Sequence, residues 1–296
     1  MKRRIALRAG GLVAVALAVV AGLTVYFSKQ GVPPCLFNGV NTWSPPTDKQ
    51  VHHFLLVAPD HALCLFDMDA QQAPAGYVPL PNIRGITALE ARGGQVAVRY
   101  DGGRGALVDL RTNHVRYGVA PPPAPTNDAV ARNLAARVEY ATMPGRLGFQ
   151  VRRLDTGELL DTVSFPGYTW SPRAGPNPPD HGISLAPDRP ELWVLDAPNS
   201  VVHVYDVEGK LAVHPRLVDT IKLTRKLTGV ERPCASTSCV RIGALLHSAD
   251  GRFVFVGDVG DVIDTSRREE IANLEALRQS RVMLEVDWAN GEPEFP

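Results

Sequence analysis

The sequence has no net charge: Lys+Arg and Asp+Glu stand at 31 each. No overall basic field therefore points to nucleic acid, and no overall acidity points to a cationic partner. Charged residues (21%) and aromatics (7%) are few. With 45% of 296 residues apolar, global disorder is excluded and a large core is available. There are only four cysteines, none in a C-x-x-C-H run, so covalent c-type haem is not indicated. Neither a G-x-S-x-G elbow nor a phosphate-cradling P-loop occurs. Long helical stretches are mostly missing. In their place 25 prolines and 26 glycines are spread along the chain, as many short strands joined by turns require.

The amino terminus carries the clearest local signal. Lys2, Arg3, Arg4 and Arg8 precede the uncharged run from Ala9 to Phe27, an asymmetry that leaves the terminus in the cytoplasm and exports the rest. The run is long enough to span a bilayer, while Val19-Val20-Ala21 offers the small residues a signal peptidase accepts. An uncleaved anchor is the favoured reading, because apolar residues continue through Leu23, Val25, Tyr26 and Phe27. Cys35 follows Gly-Val-Pro-Pro, without the small residue expected before a lipidated cysteine. The expected organisation is a signal anchor or signal peptide over residues 1–30, a linker or degenerate strand over 31–50, and one folded domain over 51–296, located in the periplasm or at the cell surface.

Repeats indicate the fold. Two strand residues followed by Asp and a turn recur at Asp67, Asp109, Asp155, Asp206 and Asp264. This period, with several strands per repeat, marks an all-β propeller of about five to seven four-stranded antiparallel blades. The aspartate suits a hairpin, since its side chain accepts hydrogen bonds from turn amides beyond it. "LLVAPDHALCLFD", Leu55 to Asp67, aligns without a gap on "VLDAPNSVVHVYD", Val194 to Asp206, and "HGISLAPDRPELWVLD" lies over "GALLHSADGRFVFVGD", Asp188 on Asp250 and Asp196 on Asp258. The first blade lacks an obvious innermost strand. "RVMLEVDW", Arg281 to Trp288, alternates in the way a strand does and is expected to supply it by pairing near Phe54 to Val57, removing two open edges. A degenerate blade around Cys35 to Val51 would add a sixth.

From "HGISLAPDRPELWVLDAPNSVVHVYDV" through "GALLHSADGRFVFVGDVGDVIDT" to "MLEVDWANG", the chain resembles the YVTN-type β-propeller repeats of exported bacterial proteins, most specifically over residues 181–290. Members typically form seven blades. The wider superfamily includes lactone hydrolases and propeller subunits of quinoprotein dehydrogenases, so the resemblance implies such activities as alternatives. The repeat motif itself is structural and transfers no catalytic residue.

In an oxidising compartment thiols pair. Cys234 and Cys239 bracket four residues and would close a small loop, leaving Cys35 and Cys64 to pair across sequence, although all three connectivities remain open. A lone C-x4-C pair does not make a zinc site, and "DVGDVID", Asp258 to Asp264, lacks the ligand spacing of a calcium loop. No metal and no cofactor is expected. The long connections, Ala120 to Asp128, Gly167 to Asp180 and Thr224 to Arg241, all join one blade to the next and should crowd one face. On that face His181, Asp196, Asp258 and Arg241 are the candidate site: a His, two carboxylates and an Arg suit anion binding or acid–base hydrolysis. The plainer alternative has His181 satisfied by a backbone carbonyl and the aspartates orienting turns. His247, where the aligned repeat has Leu185, reads as packed. The expected function is a membrane-tethered extracytoplasmic propeller that binds a protein or cell-envelope ligand on its long-loop face. The alternatives are a lactonase-like hydrolase using His181 with Asp196 or Asp258, and a propeller subunit of a quinoprotein-type redox system.

Overall fold

The structure is a computed structural model that describes Cys35 and residues 41–124, 129–142, 147–165, 182–197, 199–225 and 243–296. Within it the chain forms five antiparallel sheets. Blade 1 holds β1 (His52–Val57), β2 (Ala62–Asp67) and β3 (Ala73–Pro79), and blade 2 holds β4 (Ala88–Arg92), β5 (Gln95–Tyr100), β6 (Arg104–Asp109) and β7 (His114–Tyr117). Blade 3 is β8 (Val130–Asn133), β9 (Val138–Thr142), β10 (Gly148–Arg153) and β11 (Leu159–Ser164). Blade 4 is β12 (Ile183–Leu185), β13 (Glu191–Asp196), β14 (Val201–Asp206) and β15 (Arg216–Lys222), and blade 5 is β16 (Ala244–His247), β17 (Phe253–Gly257), β18 (Asp261–Asp264) and β19 (Glu269–Asn273). Strands β20 (Met283–Ala289) and β21 (Glu292–Glu294) complete blade 1 in the order β21-β20-β1-β2-β3. The architecture is a β-propeller.

The carboxy-terminal strand closes the first blade by pairing with β1, as expected. β20 pairs β1 from His52 opposite Trp288 to Val57 opposite Met283. β21 then adds a short fifth strand beside it, which the repeat pattern did not announce.

Alternation gives the middle strands two faces that pack against neighbouring blades, while the outermost strands β7, β11, β15 and β19 are largely exposed. Phe54, Leu56, Val286 and Trp288 face blade 2, where they meet Val96, Val98 and Val108. Leu55 and Val57 face Phe253 and Phe255 of blade 5. Leu192 and Val194 pack with Tyr140, Phe149 and Val151 of blade 3, while Trp193 and Leu195 pack with Val254 and Val256 of blade 5. Inner strands approach one another, with β12 against β8 and β16, and β20 against β4.

The repeated aspartates act as expected in four blades. Asp67 accepts from the amides of Asp69 and Ala70, Asp109 from Arg111, Asp206 from Glu208, and Asp264 from Ser266 and Arg267. Asp155 is the exception. β10 ends at Arg153, and the Asp155 carboxylate instead receives the Arg137 guanidinium at 2.8 Å.

The segment around 41–50 does not form a sixth blade. Thr42 makes an isolated parallel bridge to Tyr77 on β3, and the Trp43 amide donates to the Tyr77 carbonyl at 2.8 Å. Trp43 then drops between blades 1 and 2, donating through Nε1 to the Leu110 carbonyl at 2.8 Å and meeting Phe54 and Trp288 edge to face. Gly76 permits this approach, since a Cβ there would lie 2.7 Å from the Trp43 Cα. The segment wedges a blade junction because its one large apolar residue has no partner sheet of its own.

Candidate functional site

The residues expected to form the site divide into two groups. His181, Arg241, Cys234 and Cys239 lie outside the described residues, as do Ala9–Phe27, Gly167–Asp180 and most of Thr224–Arg241. No helix among the described residues is long and apolar enough to cross a membrane.

Asp196 and Asp258 are described, and both hold backbone in place. Asp196 is fully buried at the end of β13. It accepts from the Asn199 amide N–H at 3.1 Å and side chain at 2.6 Å, and pairs with His203 Nε2 at 3.1 Å. His203 in turn reaches Thr220 Oγ1 at 3.0 Å, so one carboxylate ties the turn to two outer strands. Asp258 follows β17 with φ of 67°. Its Oδ2 accepts from Gly243 N at 3.1 Å, and its own amide donates to Leu277 and Ser280. Asp261 is fully buried and receives Thr224 N at 2.8 Å together with the Asn273 side chain. The carboxylates of the acidic stretch Asp258 to Asp264 therefore serve separate contacts, Asp258 to Gly243, Asp261 to Thr224 and Asn273, and Asp264 to its own turn.

Cys35 and Cys64 form a disulfide with Cα atoms 5.9 Å apart. It fixes the chain before blade 1 to β2, in the apolar interface with blade 5.

The described cavity opens on the opposite face, where the turns within each blade are short. A cleft of about 560 Å³ is built from the turns of three blades: Met68 and Asp69 of blade 1, Arg189 of blade 4, and Arg252, Phe253, Arg267 and Ile271 of blade 5 among others. Each arginine is aimed by a turn carboxylate. Arg189 forks onto Asp188 at 3.0 and 2.8 Å, Arg267 pairs with Asp264 at 3.0 Å, and Arg252 binds Asp250 while reaching Asp69 at 3.3 Å. Arg252 also covers the Phe253 ring, 5.1 Å from its centroid.

These pairs keep the carboxylates ionised. The Ser266 hydroxyl, with the Arg267 amide and guanidinium, brings Asp264 down to about 2 against the desolvation that opposes it. The Arg189 guanidinium holds Asp188 below its ordinary value. Gly251, with φ of 74°, lets the Asp188 carboxylate come so close that a Cβ would lie 2.3 Å from its oxygen. A guanidinium has five N–H donors in a fixed fork, and these pairs leave some of them for a ligand. Met68, Phe253 and Ile271 add apolar surface to the lining, most of it from the exposed Ile271. The arrangement suits an extended segment that offers carbonyl or acidic oxygens to the arginines and apolar side chains to that surface.

Sequence reasoning placed the candidate site on the other face and missed this cleft. The signal was present in the turns, as an Arg one to three residues after a turn aspartate in Asp188-Arg189, Asp250 to Arg252 and Asp264 to Arg267. Only the ring brings the three turns together.

No protein-family model matches the chain, and no curated protein matches it. Similar solved structures include the β-propeller domain of Cps50 (Swd1) from Myceliophteria thermophila, at 18% identity and TM-score 0.32, covering 64% of this chain and 54% of that one. Hydrazine synthase of Kuenenia stuttgartiensis is 16% identical at TM-score 0.35, covering 65% and 49%. Dihydro-heme d1 dehydrogenase NirN in complex with DHE is 15% identical at TM-score 0.33, covering 78% and 45%. The chain thus spans about half the length of each. The assignment to the β-propeller class rests on the five sheets of the chain itself.

Proposed function

We propose that the chain is an extracytoplasmic, membrane-tethered β-propeller of the YVTN type that binds a protein or cell-envelope ligand. The observation that carries the binding role is the cleft across blades 4, 5 and 1, with its aimed arginines and the apolar surface in its lining. The Cys35–Cys64 disulfide supports the compartment, because such bridges persist where the environment is oxidising. The hydrolase alternative loses support at Asp196, which is fully buried and engages both oxygens within its own blade. The cleft also moves the proposed contact from the long-loop face to the short-turn face.

Affinity capture from the envelope fraction tests this. The full chain is compared with an Ile271→Glu/Arg267→Glu double variant and with a deletion of residues 167–180. The variant alters two exposed cleft residues, so it should lose the captured ligand while the loop deletion retains it. Loss only in the loop deletion would place the ligand on the other face, and no ligand captured by the unaltered chain would defeat the binding reading.

A further inference from the structure

A second cluster of polar side chains lies at the junction of blades 5 and 1, outside the cleft and used by nothing described above. Residues 283 to 289 alternate, so Leu284, Val286 and Trp288 face blade 2 while Met283, Glu285 and Asp287 face blade 5. An inter-blade face is ordinarily apolar, and Leu55 and Val57 of the neighbouring strand conform. Two carboxylates here break the pattern.

The register of β1 against β20 then adds a histidine. His53 sits directly opposite Asp287, and Leu55 sits opposite Glu285, which puts His53, Glu285 and Asp287 on one face of the sheet. His53 Nδ1 lies 2.7 Å from Asp287 Oδ1, and one donor atom from each of the three residues lies within 4.8 Å of the others.

We propose that His53, Glu285 and Asp287 form a binding site for a divalent first-row transition metal, which fastens blade 1 at the place where its amino-terminal and carboxy-terminal strands meet. One imidazole nitrogen and two carboxylate oxygens are a donor set of intermediate softness that suits Zn²⁺ and its neighbours, with remaining positions open to water. Metal bonds of about 2.0–2.2 Å set donor atoms about 3–4 Å apart. To hold an ion, His53 Nδ1 and Asp287 Oδ1 must open from 2.7 Å to that spacing, and any separation wider than it, up to 4.8 Å, must close.

The surroundings supply an independent reason for a cation. Glu285 is 7% exposed, and among the described residues no Lys or Arg pairs with it. Its hydrogen bond comes from the Ala249 backbone N–H at the blade 5 turn, to Oε2 at 2.6 Å. A buried carboxylate whose one nearby charge partner is a histidine already bonded to a second carboxylate is costly. Asp69 and Asp250 add negative charge nearby, and both are already engaged with Arg252.

The test is zinc titration of the chelator-stripped full chain by calorimetry, with X-ray absorption at the zinc edge on the loaded chain. The expected result is one zinc per chain, bound through one imidazole and oxygen donors, with that binding lost in Glu285→Gln and in Asp287→Asn. Near-ultraviolet circular dichroism of the Trp43–Trp288 pair, on the opposite face of blade 1, reports whether each variant keeps its fold. If a variant unfolds, the absorption spectrum of the unaltered chain decides on its own. No binding, binding undiminished in both folded variants, or a spectrum showing sulfur or several imidazoles would overturn the proposal.

Discussion

At the scale of single residues, the aspartates and histidines show how position in a blade decides what a polar group does. The turn aspartates were legible because an Asp side chain caps a hairpin from within a few residues, and Asp67, Asp109, Asp206 and Asp264 do so. Asp155 has the same local sequence pattern but lies beyond the end of its strand, so it receives Arg137 and not the turn amides. His247 was also read correctly as packed. It is 7% exposed, lies edge-on to Trp193, bonds Ser184 Oγ at 2.7 Å through Nδ1, and leaves Nε2 without a partner. Burial depresses it to about 4, with Arg189 lowering it further and Asp188 opposing. In the unfolded chain the same group titrates near 6.5. Between those values the unfolded state holds the extra proton, so stability falls as the pH drops from about 6.5 to about 4 and the contribution is fully lost below that. The loss is on the order of 3 kcal/mol. His247→Asn, which keeps a polar atom near the Nδ1 position, should flatten this part of the stability–pH curve in urea denaturation series. An unchanged acid limb would show that His247 is not its cause.

At the scale of strands, the closing element was legible and its second face was not. Alternation in Arg281 to Trp288 is strong enough to name a strand, and the missing inner strand of blade 1 names its place. The sequence pattern did not say what the polar row of that alternation faces. It faces blade 5, and His53 is 234 residues from Asp287, too far for any local pattern. The same limit hid the wedge made by Trp43, which only the gap between blades 1 and 2 explains. Trp288 is 1% exposed and packs on Trp43 within that gap. Trp288→Ala should therefore cost about 3–5 kcal/mol, the range for truncating a large buried aromatic. Chemical denaturation followed by far-ultraviolet circular dichroism measures it. A cost below about 1 kcal/mol would mean that β20 does not anchor blade 1 as described.

At the scale of the whole molecule, the central claim is an exported propeller that presents a binding cleft outside the cytoplasm. The balanced charge and spread of turns pointed to a compact β-rich domain, and five sheets fulfil that. The cleft proposed as the binding face was not legible, because it is assembled from turns of blades 4, 5 and 1 that are distant in sequence. Location and fold meet in one covalent feature, the bridge from Cys35 to Cys64 in β2. A disulfide closing a loop of this size typically contributes about 2–4 kcal/mol, and such bridges persist chiefly in oxidising compartments. The most direct measurement is non-reducing peptide mapping of the protein from its native envelope, with thiols alkylated before lysis. The account predicts that the peptides containing Cys35 and Cys64 are recovered joined. Recovery of both cysteines as alkylated thiols would contradict it.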